Sequence, residues 1–339
     1  MMESLHLPTS ISTLESPGEV YQDFKISCYE LTLRTEESIP LPPFLGSTLH
    51  GGFGRALKQV GCFVPMANAC PPCQHPTQCP YNLLYEFKNL PVDRIPKRYA
   101  ESPPKLFVIE LPASHPPQLR AGERLMFRLL FFGPAIELRI YPIVAMRVWG
   151  DNMGLGYKRG KFELERIAAV NPLSGEQQQV YSSTDQMVHQ NDQPLTIGEI
   201  FRWCESWQVG KQIKLRFVTP MRLPGRGYKP EDLDLKIVLK SALERLSILA
   251  LLAGLPEAEV DFATPLALAE KITVLARAAK WWDWDRYSKR QDRRMSMGGF
   301  IGHLILQGDF SQLKPYLKIA ELLHVGKNST FGLGQVRFE

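Results

Sequence analysis

Apolar and polar residues alternate in short runs along the first half of the chain, and prolines and glycines separate these runs. Residues 20–34 alternate with a period of two, which predicts a half-buried strand. The chain then passes through prolines into a short helix, which Ser47 or Thr48 could cap. Further strands are predicted from Lys105, from Glu123 and over 161–170, with a helix before the last of them. The order is β-α-β-β-α-β with an insertion.

A second set of elements follows a polar stretch, residues 171–193, which predicts a hairpin or an inter-domain linker. The pattern predicts a strand at 211–220, a helix at 234–255, a segment at 269–284 with features of both strand and helix, a strand at 298–308, a helix with Asp309 as N-cap and Gly326 just past its end, and a final strand. This repeats the β-α-β-β-α-β order of the ferredoxin-like arrangement.

The repeated order predicts an α+β protein with two tandem ferredoxin-like (RRM-like) domains. We expect the first at residues 18–205, with a cysteine-rich insertion at about 61–82, and the second at residues 210–339. The chain closes on a loop spaced by glycines that runs into the last strand. Exposed N–H groups and a lysine in such a loop suit a phosphate chain.

Composition and charge narrow the class of protein. The 339 residues are 44% apolar and 22% charged, as in a folded soluble protein. The net charge of +5 and the pI near 8.8 suit a polyanionic partner without establishing one. The amino terminus lacks the features of a secretory signal, and the longest apolar run, residues 246–255, is about half of a membrane span. We expect a cytoplasmic protein without a membrane partner.

Four cysteines lie within eighteen residues, in the pattern C-x7-C-x2-C-x5-C: Cys62, Cys70, Cys73 and Cys79. In a cytoplasmic chain this spacing favours a metal over disulfides. Structural zinc held by four sulfurs is the first interpretation, with His75 able to replace one thiol. An iron–sulfur cluster is the runner-up, and unliganded loop cysteines are the remaining alternative. Cys28 and Cys204 are expected to be ordinary buried cysteines.

Four blocks, in one order, carry a resemblance to a known family: FLGSTLHGGFGRAL, LRFVTPMRLPGRG, DWDRYSKRQDRRMSMGGFIGHLILQGDF and HVGKNSTFGLGQVRF. From about residue 20 onward the chain resembles the CRISPR repeat-processing endoribonucleases of the RAMP superfamily, in the branch with an amino-terminal cysteine cluster. The resemblance implies cleavage of precursor CRISPR RNA within its repeats, without a catalytic metal. The ribose 2′-hydroxyl attacks the adjacent phosphate and leaves 2′,3′-cyclic phosphate and 5′-hydroxyl ends.

The expected partner is therefore CRISPR repeat RNA, and not DNA, which lacks the attacking hydroxyl. Other CRISPR effector subunits are further candidate partners. The alternative function is that of a non-catalytic RAMP subunit that only holds RNA in a larger CRISPR ribonucleoprotein complex.

Catalysis in this reaction needs groups that move protons and stabilise charge on the phosphate. His50 occupies a position like that of the catalytic histidine in several members of the family, although a plain surface histidine is equally consistent with the sequence. Lys58 returns to about the same helix face, and Lys327 lies in the closing loop. His324, at a helix end, is a second histidine to test. A tyrosine completes the site in some members, but Tyr29 is too far upstream, which leaves that role unassigned.

The predicted RNA-binding residues lie on the same helix, in two basic loops and in the closing loop: Arg55, Arg222, Arg226, Arg286, Lys289, Arg290, Arg293, Arg294, Gly326, Ser329, Thr330, Gly332 and Gly334. Neighbouring Trp281, Trp282, Trp284 and Tyr287 add surface for stacking on bases, with at least one tryptophan expected in the core. The segment GLGYKRGK, with Lys158, Arg159 and Lys161, is a weaker third basic patch. A solvated charged face is the alternative for each patch.

Overall fold

Two antiparallel sheets carry the fold. The computed structural model describes residues 14–65, 70, 73, 75–87, 103–190, 192–225, 227–288 and 293–339, with the backbone alone at 286–288 and 293–295. Arg226, Lys289 and Arg290, three of the predicted RNA-binding residues, lie outside the described residues.

The helices are α1 (Pro17–Val20), α2 (Gly46–Gly61), α3 (Ile140–Val148), α4 (Ile197–Ser206), α5 (Leu235–Leu252), α6 (Ala263–Glu270) and α7 (Lys314–Leu323). The strands are β1 (Lys25–Thr35), β2 (Ile39–Pro40), β3 (Phe107–Glu110), β4 (Gln118–Leu119), β5 (Arg124–Phe132), β6 (Phe162–Val170), β7 (Gln177–Ser182), β8 (Leu195–Thr196), β9 (Gln212–Met221), β10 (Thr273–Trp282), β11 (Asp285–Ser288), β12 (Arg293–Ser296), β13 (Gly299–Gln307) and β14 (Val336–Phe338). Two short π-helical segments, Asn82–Glu86 and Trp149–Met153, and a 3₁₀ turn, Ser329–Phe331, lie near the candidate site.

The first sheet has the order β3-β5-β1-β6-β7, with β8 paired to β1. Read across the sheet from β3, the four main strands are the second (β3), the third (β5), the first (β1) and the fourth (β6) of this half in chain order. α2 follows the first of these strands and α3 follows the third, which is the split βαβ arrangement of a ferredoxin-like fold. β7 forms a hairpin with β6, as the polar stretch predicted.

The second sheet repeats this topology. Its order is β10-β13-β9-β14, again second, third, first and fourth, and α5 and α7 supply the connections. β9 alternates as expected: Ile213, Leu215 and Phe217 are buried under the helices, while Lys214 and Arg216 lie on the opposite face. The predicted tandem ferredoxin-like fold is therefore confirmed. The predicted domain boundaries, which fall between α4 and β9, stay a prediction.

Two predicted helix caps were wrong. α2 begins at Gly46, so Ser47 and Thr48 lie inside its first turn, and its N-cap residue is Leu45, without a side-chain cap. α7 begins at Lys314, five residues after Asp309, whose carboxylate instead accepts the N–H of Ser311 at 2.9 Å in a local turn. In both cases the prediction rests on the type of the cap residue, whereas packing determines where the helix starts.

Two helices, the short α1 and α4, were not predicted, and one ambiguous segment is resolved. α4 begins with a capping box in which Thr196 and Glu199 bond reciprocally. This S/T-x-x-E pattern was available in the sequence. The ambiguous segment at 269–284 divides into the end of α6 and the whole of β10. None of the helices in the described ranges is both long enough and apolar enough to cross a membrane.

Glu110 joins the two sheets through buried charges. It ends β3 with a side chain that is 9% exposed, and its carboxylate lies 2.9 Å from Arg337 of β14 and 3.6 Å from Arg128 of β5. Burial by itself would raise the pKa of Glu110, but the contact with His324 and the charges of Arg337 and Arg128 outweigh burial and lower the pKa from 4.5 to about 2. Glu110 is thus an ionised carboxylate held by both halves of the chain.

The lowered pKa predicts an acid-dependent loss of stability. A carboxylate whose pKa falls on folding stabilises the protein above pH 4.5, and the effect is lost as the pH drops to about 2. We expect Glu110→Gln to lower the free energy of unfolding at pH 7 by about 3 kcal/mol, a difference that narrows on acidification. Urea denaturation at several pH values measures it. Glu163→Gln, in an exposed pair with Arg34, is the control and should cost less than about 1 kcal/mol. Equal losses in both variants would contradict the role of Glu110.

Candidate active site

Three glycines on α2 allow other groups to approach the helix backbone closely: one loop backbone and two aromatic side chains. A Cβ on Gly46 would lie 1.8 Å from the carbonyl oxygen of Phe331, and one on Gly52 would lie 1.9 Å from the ring of Trp149. A Cβ on Gly54 would lie 2.2 Å from Cζ of Tyr85. Only glycine fits at these three positions. The glycine-rich sequence of α2 is therefore a docking surface, and His50 lies within it.

His50 forms a hydrogen-bonded pair with Tyr85. The Oη atom of Tyr85 is 2.7 Å from Nδ1 of His50 and 3.0 Å from the carbonyl oxygen of the same residue. The hydroxyl has one proton and the carbonyl can only accept, so both contacts are satisfied when the hydroxyl donates to the carbonyl and Nδ1–H donates to the hydroxyl. In that tautomer the proton-free nitrogen of the neutral imidazole is Nε2, the form required of a general base.

Tyr85 reaches His50 from the end of the cysteine-rich insertion. It lies in the π-helical segment Asn82–Glu86, and its ring stacks on Tyr81 with centroids 5.5 Å apart. The amide of Asn82 donates to the carbonyl of Pro76 at 2.9 Å, which closes the segment against the preceding loop. Tyr85 thus takes a place beside the histidine that the sequence left unassigned.

The closing loop, residues 324–335, contributes Phe331 to the same site. The rings of Phe331 and His50 are stacked, with centroids 3.8 Å apart and planes inclined by 24°. The next residue, Gly332, passes so close to β3 that a Cβ there would lie 2.8 Å from the carbonyl oxygen of Ile109. The buried hydroxyl of Thr219 donates to the carbonyl of Gly332 at 2.7 Å. The loop is thereby fixed against both sheets.

Several amides of the closing loop are already bonded inside the protein. The N–H groups of Lys327, Phe331, Gly332 and Gly334 donate to carbonyl oxygens of the fold over 2.8–2.9 Å. The expectation that the loop presents its N–H groups to a phosphate chain is therefore wrong for these four residues. Gly326, Gly332 and Gly334 all have positive φ, and their role in the structure is to let the loop pack closely.

His324 is a structural residue. It is fully buried, its Nδ1 lies 3.1 Å from the carbonyl oxygen of Leu333, and its Nε2 lies 3.8 Å from Glu110. Burial lowers the pKa of His324, while the contact with Glu110 opposes this shift. His324, the second histidine to test, is therefore closed off from solvent and has no access to a substrate.

The predicted cations lie at different distances from His50. Lys58 is two turns further along α2, which separates the two backbones by about 12 Å. Arg55 is exposed one turn after His50, with its guanidinium over Gly51. Lys327 is exposed at the start of the closing loop, four residues before Phe331. This separation does not favour the expectation that Lys58 serves the same phosphate as His50. Lys327, in contrast, lies on the same loop as Phe331, whose ring stacks on His50.

The two basic loops lie beside the closing loop. The guanidinium of Arg222 donates to the carbonyl of Ser296 at 2.6 Å, and its own carbonyl accepts the N–H of Lys327 at 2.8 Å. Arg286, Arg293 and Arg294 lie on the hairpin of β11 and β12, where Tyr287 pairs with Arg294 and Ser288 with Arg293. In the closing loop, Ser329 is buried and Thr330 is half-buried. The loop of Arg222 thus contacts both the closing loop and the hairpin of β11 and β12.

The tryptophans near this hairpin form a surface row. Trp281 and Trp282 are 43% and 37% exposed, and Trp284 is half-buried. Trp282 stacks on Trp284, which in turn contacts Phe44, just before α2, with ring centroids 4.7 Å apart. The expectation that at least one of these tryptophans belongs to the core was wrong. The row connects the basic hairpin to the amino end of α2.

The four predicted zinc ligands do not form one assembled group. Within the described parts of the chain, no three His, Cys, Asp or Glu side chains lie close enough to hold a metal ion. Cys62 and Cys73 each accept the N–H of the residue two positions on, at 3.4 and 3.5 Å. The thiol of Cys79 donates to the carbonyl of Gly61 at 3.3 Å, and burial raises its pKa. Cys70 is half-buried, and Cys28 and Cys204 are buried, as expected.

Comparisons with known proteins give the family context of this site. Residues 215–336 match the family model described as CRISPR-associated endoribonuclease Cas6, and residues 24–193 match a second model, AF_1859_N, described as an N-terminal domain. An uncharacterised protein of Archaeoglobus fulgidus is 26% identical over 304 residues, which cover 88% of this chain and 92% of that protein.

Solved structures named Cas6 have the same fold. A Cas6 product complex is similar with a TM-score of 0.51 at 17% identity, covering 93% of this chain and 99% of that chain. Thermus thermophilus Cas6 gives a TM-score of 0.50 at 14% identity, with the same coverage. A partial Cas6-RT-Cas1–Cas2 complex gives 0.57 at 12% identity, covering 93% of this chain and 46% of that chain. At these identities the likeness establishes a shared fold.

The contact between Gly54 and Tyr85 predicts opposite effects for two neighbouring alanine substitutions. Gly54→Ala places a Cβ inside the Tyr85 ring, so the ring must move and its bond to His50 is broken. Gly51→Ala meets nothing closer than 4.0 Å and should stabilise α2 by about 1 kcal/mol. Thermal melts and crystal structures of both variants measure this. A Gly54→Ala protein with Tyr85 unmoved would contradict the analysis.

The cysteine spacing predicts bound zinc. The interpretation of a tetrahedral site with four cysteine ligands requires about one zinc per chain in the native purified protein, measured by mass spectrometry, whereas the ungrouped sulfurs of the structure require none. Cys73→Ser should lose the metal, while Cys204→Ala, in the core, should keep it. Zinc below about a tenth of an equivalent would contradict the prediction. Iron with visible absorbance would instead favour the iron–sulfur interpretation.

Proposed function

We propose that this chain, which belongs to the Cas6 family of CRISPR-associated RAMP proteins, cleaves precursor CRISPR RNA within its repeats by a metal-independent 2′-hydroxyl mechanism. The observation that carries the proposal is the pairing of His50 with Tyr85 beside the closing loop. A partly exposed imidazole, oriented by a hydroxyl and stacked on an aromatic ring, is prepared for proton transfer. The fold alone does not separate a nuclease from an RNA-holding subunit, so the site residues carry the argument.

The proposed chemistry uses the substrate's own nucleophile. Nε2 of His50 takes the proton of the ribose 2′-hydroxyl, the 2′-oxygen forms a bond to phosphorus, and the bond from phosphorus to the 5′-oxygen breaks. The products are a 2′,3′-cyclic phosphate and a 5′-hydroxyl. Because attacking and leaving oxygens lie on opposite sides of phosphorus, one imidazole cannot serve both directly. We assign protonation of the leaving oxygen and stabilisation of the phosphate charge to Lys327.

Tyr85 and Phe331 position the base. Tyr85 holds Nδ1, which leaves Nε2 as the basic nitrogen of the neutral ring. Phe331 covers one face of the ring and links its position to that of Lys327 on the same loop. Lys58, displaced along the helix, together with Arg55 fits contacts to neighbouring phosphates of the strand. The basic hairpin and the loop of Arg222 extend the same surface.

The test is cleavage of a labelled CRISPR-repeat RNA in excess EDTA, beside a copy with a single 2′-deoxy nucleotide at the cut. We expect one specific cut that the deoxy substitution abolishes. His50→Ala should slow cleavage by about 100-fold or more while RNA affinity remains. His189→Ala, which removes a partly exposed histidine of the turn that follows β7, is the matched control and should leave the rate unchanged.

Three results would overturn the proposal. Tight binding of the repeat without any cut, under conditions with and without divalent metal, would place the protein with the RNA-holding RAMP subunits. Cleavage that survives His50→Ala would assign the chemistry to another residue. A cut that depends on metal and ignores the deoxy substitution would exclude the 2′-hydroxyl mechanism.

A further inference from the structure

An exposed turn on the first half of the chain carries a tyrosine without an internal role. Residues 154–161, called here the Tyr157 turn, connect the π-helical segment Trp149–Met153 to β6. Tyr157 is 80% exposed, more than any other large apolar side chain in the described parts of the chain. Lys158 and Arg159 follow it directly and are also exposed. Single exposed aromatic side chains are common on protein surfaces. A tyrosine next to two cations at the tip of a turn, however, forms a surface that suits binding of another molecule.

The Tyr157 turn is held in one conformation. Leu155 and Gly160 exchange two backbone hydrogen bonds, of 2.7 and 3.0 Å, and both residues are buried. Gly154 has φ of +68°, and a Cβ there would lie 2.0 Å from the carbonyl oxygen of Arg159. The base of the turn is therefore tight and buried. A partner that binds Tyr157 at the tip therefore does not incur the entropic cost of ordering a flexible loop.

The same turn is attached to the helix that carries His50. The indole N–H of Trp149 donates to the carbonyl of Gly154 at 2.8 Å, and the indole ring occupies the space that Gly52 leaves open. Gly52 is two residues after His50. A second contact comes from Gly160, which packs against Ile39, just before α2. The position of the Tyr157 turn is thus fixed relative to the candidate active site.

The charge of the turn favours an anionic partner. Neither Lys158 nor Arg159 takes part in an ion pair within the described residues, so both charges remain available. At the base of the turn, Glu37 accepts the backbone N–H of Lys161 at 2.8 Å. Cations beside an exposed aromatic ring are the combination that binds single-stranded nucleic acid, because phosphates meet the cations and a base stacks on the ring.

We propose that the Tyr157 turn is a second RNA contact of this protein, in which Tyr157 stacks on an unpaired base while Lys158 and Arg159 bind the flanking phosphates. The proposal rests on the proposed function, since it takes the same repeat RNA as ligand. It places a contact on the first half of the chain, whereas the basic loops belong to the second half. The RNA strand would then contact both halves of the chain, with an unpaired nucleotide at the turn.

The test measures binding of the repeat RNA that carries the 2′-deoxy substitution at the cut, so that cleavage does not interfere. Tyr157→Ala should weaken binding by about 5- to 100-fold, the range for loss of one stacked base. Tyr157→Trp keeps a stacking ring and should bind like the original protein. Met187→Ala is the control, because Met187 is 60% exposed on another turn that has no cations. Binding of Tyr157→Ala within twofold of the control would overturn the proposal.

A second measurement tests the phosphate contacts. The double variant Lys158→Ala/Arg159→Ala should lower the slope of log affinity against log salt by about 1.4, the value for two phosphates of a single strand. An unchanged slope would overturn the assignment of these two cations.

Failure of the two proposals can be told apart. Loss of affinity in Tyr157→Ala without any cleavage in the intact protein would support the turn and reject the nuclease. Cleavage that depends on His50, with no effect of Tyr157→Ala on binding, would support the nuclease and reject the RNA contact at the turn. An acidic peptide would then be the alternative partner of the turn.

Discussion

The candidate site depends on one close contact between two backbones. The first turn of α2 lies against the carbonyl of Phe331, and it can do so only because residue 46 has no side chain. α2 packs in the first ferredoxin-like half, and the closing loop belongs to the second. The contact therefore brings His50 from one half into stacking distance of Phe331 from the other. Neither half contains the arrangement by itself.

The cysteine-rich insertion gains a structural role from this geometry. The chain leaves α2 at Gly61 and returns at Cys79, whose thiol bonds to the carbonyl of Gly61. Tyr81, two residues after Cys79, stacks on Tyr85. The hydroxyl of Tyr85 in turn bonds to His50. The insertion is thus a detour that returns to the helix from which it started. The closing of the insertion against the end of α2 therefore determines where the hydroxyl of Tyr85 lies beside His50.

The sequence predicted the architecture better than the site. Strand alternation and element order sufficed for both ferredoxin-like units, because two-residue periodicity reports directly on burial. Helix starts at Gly46 and Lys314 escaped prediction since packing, not a polar cap, sets them. Tyr85 was missed because 35 residues and the insertion separate it from His50. The only local signal was Gly54, one turn after the histidine, which marks a place where another group approaches.

The glycines of α2 also bear on how the protein folds. Five of its sixteen residues are glycine, and the three in its interior cost about 3 kcal/mol relative to alanine. A helix of this length and composition is not stable in isolation. It gains its stability only when Trp149, Tyr85 and Phe331 fill the spaces over Gly52, Gly54 and Gly46. α2 is consequently stabilised by tertiary contacts, and His50 acquires its observed surroundings only when the segment that contains Phe331 is docked against the helix.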